Sequence, residues 1–237
     1  MQSIEAHASP LSFSCDALGD TQQIQLLPRH LILAGWTGRN QETLQAHIEE
    51  LAALGVARPK STPVFYRVSA SLITPVAAIQ VIGYGSTGEA EFVLFNASGR
   101  HWITLGSDHT DREAETVGVT LSKQLCAKPV ATQAWLLDEI EPHWDSLRLR
   151  SFVEIDGIRQ PYQDGSVASM TSPAQLLSLY QQRNPGLWAE GSVMFCGTLP
   201  VHGGIRWGDC FTVELEDPVL DRALSFTYRI EPLTIAD

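Results

Sequence analysis

Between Pro63 and Val93 the chain interrupts every run of strand-forming residues after a few positions, at Pro75, Gly83, Gly85 and Gly88. Proline cannot donate to a central ladder and glycine weakens a strand interior. The segment therefore reads as short, twisted antiparallel strands and not as alternating strand-helix-strand units. Strand signals recur elsewhere: alternation from Ile24 to Leu27, the apolar run Leu31 to Gly35, and runs over 147–156, 192–197, 211–215 and 223–230. Three helices are expected among them. The first covers 41–54, with Asn40 as N-cap, Leu44, Ile48, Leu51 and Leu54 at helical spacing, and Gly55 as the stop. The second starts from Thr110 as N-cap, with Glu113 in capping-box spacing, and runs to Leu125. The third begins at Ser172-Pro173 and ends near Asn184-Pro185-Gly186. The expected fold class is α+β and strand-dominated. With no internal repeat, low-complexity stretch or Pro-rich linker, residues 31–237 are expected to form one domain, with 1–30 packed on it as an N-terminal segment.

The strand-rich part carries the chemistry. In Glu89-Ala90-Glu91 the two acids are two positions apart, so on a strand they share a face, and Asp108 can supply a third carboxylate. Paired acids on the solvent face of a strand are common; three that converge call for a hard cation. An oxygen-only site suits Mg2+, Mn2+ or Ca2+ better than Zn2+. Asp111, Glu113 and Glu115 crowd the first turn of the second helix, where the helix dipole accounts for them. His109 adjoins Asp108 but reads as a bystander.

A formal net charge of -11 with no Lys/Arg cluster argues against nucleic acid or an anionic membrane as partner, leaving a small molecule. No stretch of about 18 or more consecutive residues is apolar enough to span a bilayer. Met1-Gln2-Ser3-Ile4-Glu5 lacks the basic and apolar regions of a signal peptide, so a cytoplasmic location is expected. Cys15, Cys126, Cys196 and Cys210 show no CxxC spacing and read as small buried apolar residues.

Several runs fall in a telling order: Gly38-Arg39-Asn40, His47-Ile48-Glu49-Glu50, Glu89-Ala90-Glu91, Ser107-Asp108-His109-Thr110-Asp111-Arg112 and Lys123. Asp156-Gly157-Ile158-Arg159-Gln160, Gly197-Thr198-Leu199-Pro200 and Gly208-Asp209 follow. Together, over residues 31–231, they resemble the fumarylacetoacetate hydrolase superfamily, especially its C-terminal catalytic domain. The resemblance implies a mixed β-sheet roll or sandwich with a few short helices, and a homodimer. It implies Mg2+ or Mn2+, with Ca2+ possible, on Glu89, Glu91 and Asp108. The implied substrate is a small oxo acid, acylpyruvate-like or 1,3-diketone-like, whose C–C bond is hydrolysed through a metal-stabilised enolate. In that scheme His47 and Glu50, at i and i+3 of a lid-like helix, activate water, while Lys123 supplies positive charge where negative charge develops. Lys128 is the rival lysine: the family's lysine precedes a proline by about seven positions, and Pro129 lies six after Lys123 and one after Lys128. Arg112 and Thr198 would orient the substrate, and Arg39 and His202 are further substrate-binding candidates. Decarboxylation, hydration or isomerisation on the same metal, or small-acid binding without catalysis, are the alternatives.

The chain departs from the pattern in places. Gln41 follows Asn40 where the family has tyrosine, the interval from Glu91 to Asp108 is short, and Leu199 splits Gly-Thr-Pro. These mark a divergent, compact branch.

Overall fold

The structure, a computed structural model, describes residues 8–53 and 58–236, and within 41–53 the side chains of His47, Glu50, Leu51 and Ala53 lie outside that description. Strands β1 (Leu11–Ala17), β2 (Asp20–Leu26) and β3 (His30–Gly35) lead to helix α1 (Gln41–Ala53). The interrupted segment forms short strands as expected, β4 (Val64–Val68), β5 (Ile73–Thr74), β6 (Ala78–Ile82) and β7 (Ser86–Thr87). Only β4 and β7 pair antiparallel, however; β5 and β6 pair parallel to strands from later in the chain, a long-range choice that the local sequence does not carry. A long hairpin follows, β8 (Ala90–Ala97) and β9 (Arg100–Ser107), and then β10 (Thr110–Asp111), α2 (Arg112–Glu115), α3 (Val119–Leu125), β11 (Lys128–Pro129), β12 (Gln133–Leu136) and α4 (Leu137–Ile140). The C-terminal part holds β13 (Arg148–Ile155), β14 (Ile158–Ser166), α5 (Pro173–Arg183), β15 (Ser192–Thr198), β16 (Cys210–Asp217) and β17 (Arg222–Leu233). The fold is strand-dominated α+β, as expected.

An eight-stranded mixed sheet runs β2-β1-β12-β9-β8-β15-β3-β4, and a five-stranded sheet runs β14-β13-β16-β17-β6. Two further ladders, β10-β7 and β11-β5, have two short strands each. Both faces of β8 are buried. Phe92 and Leu94 pack toward Leu149, Val213, Leu215 and Tyr228 of the five-stranded sheet, whereas Val93 and Phe95 pack with Phe13, Trp102 and Phe195 on the opposite side. A strand covered on both faces reads as a continuous apolar run, which is why β8 shows no polar alternation beyond Glu91. Among the described residues no helix is long and apolar enough to cross a membrane.

Two helix caps behave as the sequence predicts. Asn40 Oδ1 accepts from the amides of Glu42 (2.9 Å) and Thr43 (3.0 Å), and Ser172 forms a capping box with Gln175. The expected stop of the first helix at Gly55 lies outside the described residues. The second helix differs from expectation. It is split into α2 and α3, and its cap is Asp111, whose side chain accepts from the Ala114 amide at 2.9 Å. Thr110 is instead buried in β10, with its hydroxyl donated to the Asp108 carbonyl at 2.8 Å. Tertiary pairing with Thr87 overrides the local capping signal.

Candidate metal centre

Glu89 stands just before β8, Glu91 on it, and Asp108 just after β9. The hairpin pairs Ala90 with Ser107 and Glu91 with Gly106, and the Asp108 amide donates to the Glu89 carbonyl at 3.0 Å. Glu89 and Asp108 are therefore opposite each other, and Glu91 lies two residues further along the same face. One carboxylate oxygen from each of the three lies within 4.8 Å of the others. Glu91 is 3% exposed and Asp108 1% exposed, while Glu89 is half-buried.

Three cations face this cluster. Lys123 of α3 pairs with Asp108 and reaches Glu89 Oε2 at 3.4 Å; Lys128 of β11 stands 3.0 Å from Asp108 Oδ1 and also donates to the His109 carbonyl. Both rival lysines thus meet the same carboxylate, Lys128 from full burial. Arg112 sits 3.2 Å from Glu89 Oε1, and its guanidinium also engages Glu115 and the Thr87 hydroxyl.

The charges split the acids. Burial raises the Asp108 pKa, but Lys123 and Lys128 outweigh it and hold the group at about 2. Burial likewise acts on Glu89, where Arg112 and Lys123 prevail and the net shift is downward. Glu91 is raised well above the usual carboxylate range, first by burial and then by repulsion from Asp108. Its oxygen accepts from the Gly197 amide at 2.7 Å. Gly197 has φ +98°, and a Cβ there would collide with the Thr37 side chain, so the donor geometry at Glu91 depends on glycine.

Thr198 lies directly across from Glu91 in the β15–β8 ladder. Its hydroxyl donates to the Ala90 carbonyl at 2.8 Å and accepts from Gln163 Nε2 at 2.7 Å. Arg39 and His202 bond elsewhere. Arg39 pairs with Asp145 and the Met170 carbonyl, while His202 is in a loop, its amide bonded to Tyr162 and its carbonyl to Arg206. His47 and Glu50 belong to α1, but their side chains lie outside the described residues. The four cysteines are free, and none of them is exposed.

Residues 34–228 match the family described as "Protein of unknown function (DUF2848)". The chain belongs to this family. No curated protein matches the DUF2848 chain. Solved structures share its fold, among them the following three. Cg1458 with inhibitor is 15% identical, covering 91% of this chain and 82% of its own, with a TM-score of 0.64. A 2-keto-3-deoxy-D-arabinonate dehydratase complexed with magnesium and 2,5-dioxopentanoate is 14% identical over 92% of this chain and 79% of its own, at 0.61. The 4-oxalocrotonate decarboxylase of Pseudomonas putida G7, complexed with calcium and acetate, is 14% identical over 84% and 76%, at 0.53. Likeness at such low identity shows the fold alone, the strand-dominated mixed-sheet roll or sandwich with a few short helices that the resemblance implied.

Gln163 borders the candidate metal centre and was not singled out by the sequence. Buried, its amide donates to Thr198 and to the Leu199 carbonyl (2.6 Å) and accepts from the Ala90 amide (3.0 Å) and the Ser151 hydroxyl (2.8 Å). The motif reading stopped at Gln160, three residues earlier, and nothing in local spacing distinguishes the two glutamines.

Proposed function

We propose that this DUF2848 chain is a divalent-metal-dependent enzyme of small oxo acids, of the fumarylacetoacetate hydrolase superfamily, with Mg2+ or Mn2+ held by Glu89, Glu91 and Asp108. The observation that carries the proposal is the convergence of three carboxylate oxygens within 4.8 Å. The donor set fits the cation: all oxygen, two of the three acids almost fully buried, and an ammonium already bridging Asp108 and Glu89. The oxo-acid ligand and magnesium named with the dehydratase support the substrate class.

When bound, the cation supplies a Lewis acid toward the adjacent carbonyl and carboxylate oxygens of an oxo acid. Lys123 and Arg112 add positive charge where the substrate gains negative charge during bond cleavage. Thr198, the last residue of β15, ties the end of that strand to the strand bearing Glu91, which fixes one wall of the site. His47 and Glu50 on α1 are the pair proposed to activate water for hydrolytic C–C cleavage, water adding across the bond to give two acids. Dehydration and decarboxylation are the activities named for two of the similar structures; neither consumes a water, so neither calls for a pair that activates one. We further propose a homodimer and no nucleic-acid or membrane partner, in keeping with the net charge of -11.

The deciding experiment is a screen of acylpyruvates, oxaloacetate and 2-keto-3-deoxy acids with Mg2+ or Mn2+, read by mass spectrometry. Two fragments that together contain one added water identify hydrolysis; loss of water or of carbon dioxide identifies the other two reactions. No metal-dependent product, together with no rise in melting temperature with either metal, overturns the proposal.

A further inference from the structure

His109 follows Asp108 directly, yet its ring turns away from the three carboxylates. In an extended chain alternate residues face opposite sides, so Ser107 and His109 look toward the five-stranded sheet while Asp108 looks toward Glu89 and Glu91. Tyr228 of β17 meets both. Its hydroxyl donates to Ser107 Oγ at 2.8 Å and stands 2.9 Å from His109 Nδ1, and His109 Nε2 stands 2.9 Å from Ser86 Oγ in β7. His109, Ser107 and Tyr228 are 0% exposed and Ser86 1%. The cluster also touches the backbone of the metal centre: the Glu89 amide donates to Ser107 Oγ at 3.1 Å, and Lys128 donates to the His109 carbonyl.

Proton counting fixes the tautomer. The Tyr228 hydroxyl has one proton and gives it to Ser107, so the tyrosine oxygen accepts from His109 Nδ1–H. In a neutral ring Nε2 is then the acceptor and receives the Ser86 hydroxyl proton. A buried network in which every member has its partner permits one arrangement of the elements it joins. Here those elements are β7, the end of β9 and β17.

We infer that His109 is a positioning residue of the metal centre: through its Nδ1–H it ties the Asp108 segment to Tyr228 on the five-stranded sheet, and so aims the Asp108 carboxylate at Glu89 and Glu91. This rests on the metal reading above. It assigns His109 no acid-base step.

The test is Mn2+ binding, followed by the paramagnetic resonance of free Mn2+, in wild type and in Tyr228→Phe, His109→Asn and His109→Gln, with circular dichroism confirming the fold. Asparagine places an amide N–H near the Nδ1 position, whereas glutamine places one near Nε2. Tyr228→Phe and His109→Gln are expected to weaken binding about 10–100-fold, the usual effect of losing a group that orients a ligand. His109→Asn is expected to keep most of the wild-type affinity. Wild-type affinity in both Tyr228→Phe and His109→Gln overturns the inference, whereas a wild type that binds no Mn2+ overturns the metal reading. Nitrogen-15 NMR of the metal-free wild type reads the tautomer without any variant: Nδ1–H is expected, and a ring protonated at Nε2 alone overturns the assignment.

Discussion

Glu89 and Asp108 face each other at the open end of the β8–β9 hairpin, joined by a 3.0 Å bond from the Asp108 amide to the Glu89 carbonyl. The pairing is set at the far end of the hairpin, where Ser98 (φ 55°) and Gly99 (φ 70°) make a two-residue turn with both φ angles positive. From Ala97–Arg100 the register continues unbroken to Ala90–Ser107, and one more step brings the two acids together. The short interval between Glu91 and Asp108 is thus the length of one tight hairpin. Because side chains alternate, one residue inserted into either strand would turn an acid to the opposite face.

Glu91→Gln separates metal binding from folding. Glutamine is isosteric with the protonated acid that burial favours at this position, so the metal-free variant should melt close to wild type. Wild type with cation at about 100 times its Kd should gain about 2.7 kcal/mol, roughly 5–11 °C for a chain of this size. The variant should gain almost none. Thermal melts with and without Mg2+ decide it, and a full rise in the variant would remove Glu91 from the ligand set.

Metal uptake should release a proton and tighten as pH rises. Glu91 is raised, so the metal-free fold holds a proton that cation binding must expel. For a raised carboxyl the stabilising contribution to folding is complete below the ordinary value of 4.5 and is lost as pH rises toward the folded value, so the metal-free protein should weaken across that window. Calorimetry in two buffers of different ionisation enthalpy measures the released proton directly. Identical heats in both would contradict the assignment.

Asp108→Asn should be far more damaging to the fold than Glu91→Gln. It strips the shared counter-charge from Lys123 and from the fully buried Lys128, and breaking a buried pair from one side costs roughly 3–5 kcal/mol. Asp108 titrates at about 2, below its ordinary value of 3.8, so its contribution is present above 3.8 and lost as pH falls toward 2. Urea unfolding of both proteins at pH 7 and near pH 2 should show the gap closing at the acid end. An equal gap at both would place the stabilising interaction elsewhere.

What the sequence exposed was local. The Asn40 and Ser172 caps, the β3 run and the Glu-x-Glu face depend on residues a few positions apart, and all four appear as read. What it concealed was decided at long range. Strand β9 opens on Arg100-His101, polar residues that hide a strand buried from Trp102 onward. Lys128 reaches Asp108 because β11 lies parallel to β5, a two-residue ladder with no signature in composition. Thr110 carried a capping signal, but its pairing with Thr87 and its bond to Asp108 consumed the hydroxyl. The β13–β14 ladder shifts register between Ser151 and Phe152, and Gln163 lies just past that irregularity.

Gln163→Leu should destabilise the protein more than Thr198→Val. The Gln163 amide fills both donor and both acceptor roles at once, toward Thr198, Leu199, Ala90 and Ser151. Leucine leaves the Ala90 amide and the Leu199 carbonyl without these partners, and each unsatisfied buried group costs about 1–3 kcal/mol. Valine at 198 removes only the hydroxyl, which donates to the Ala90 carbonyl and accepts from Gln163, and Gln163 keeps its bond to Leu199. The Thr198 proton is committed to Ala90, so this hydroxyl has no second proton to offer a substrate oxygen. Thr198→Val should therefore raise KM less than Gln163→Leu once both proteins are shown to be folded. Urea midpoints with unchanged slopes give the stability order, and a larger rise in KM at Thr198 than at Gln163 would show that the Thr198 hydroxyl changes partner when substrate binds.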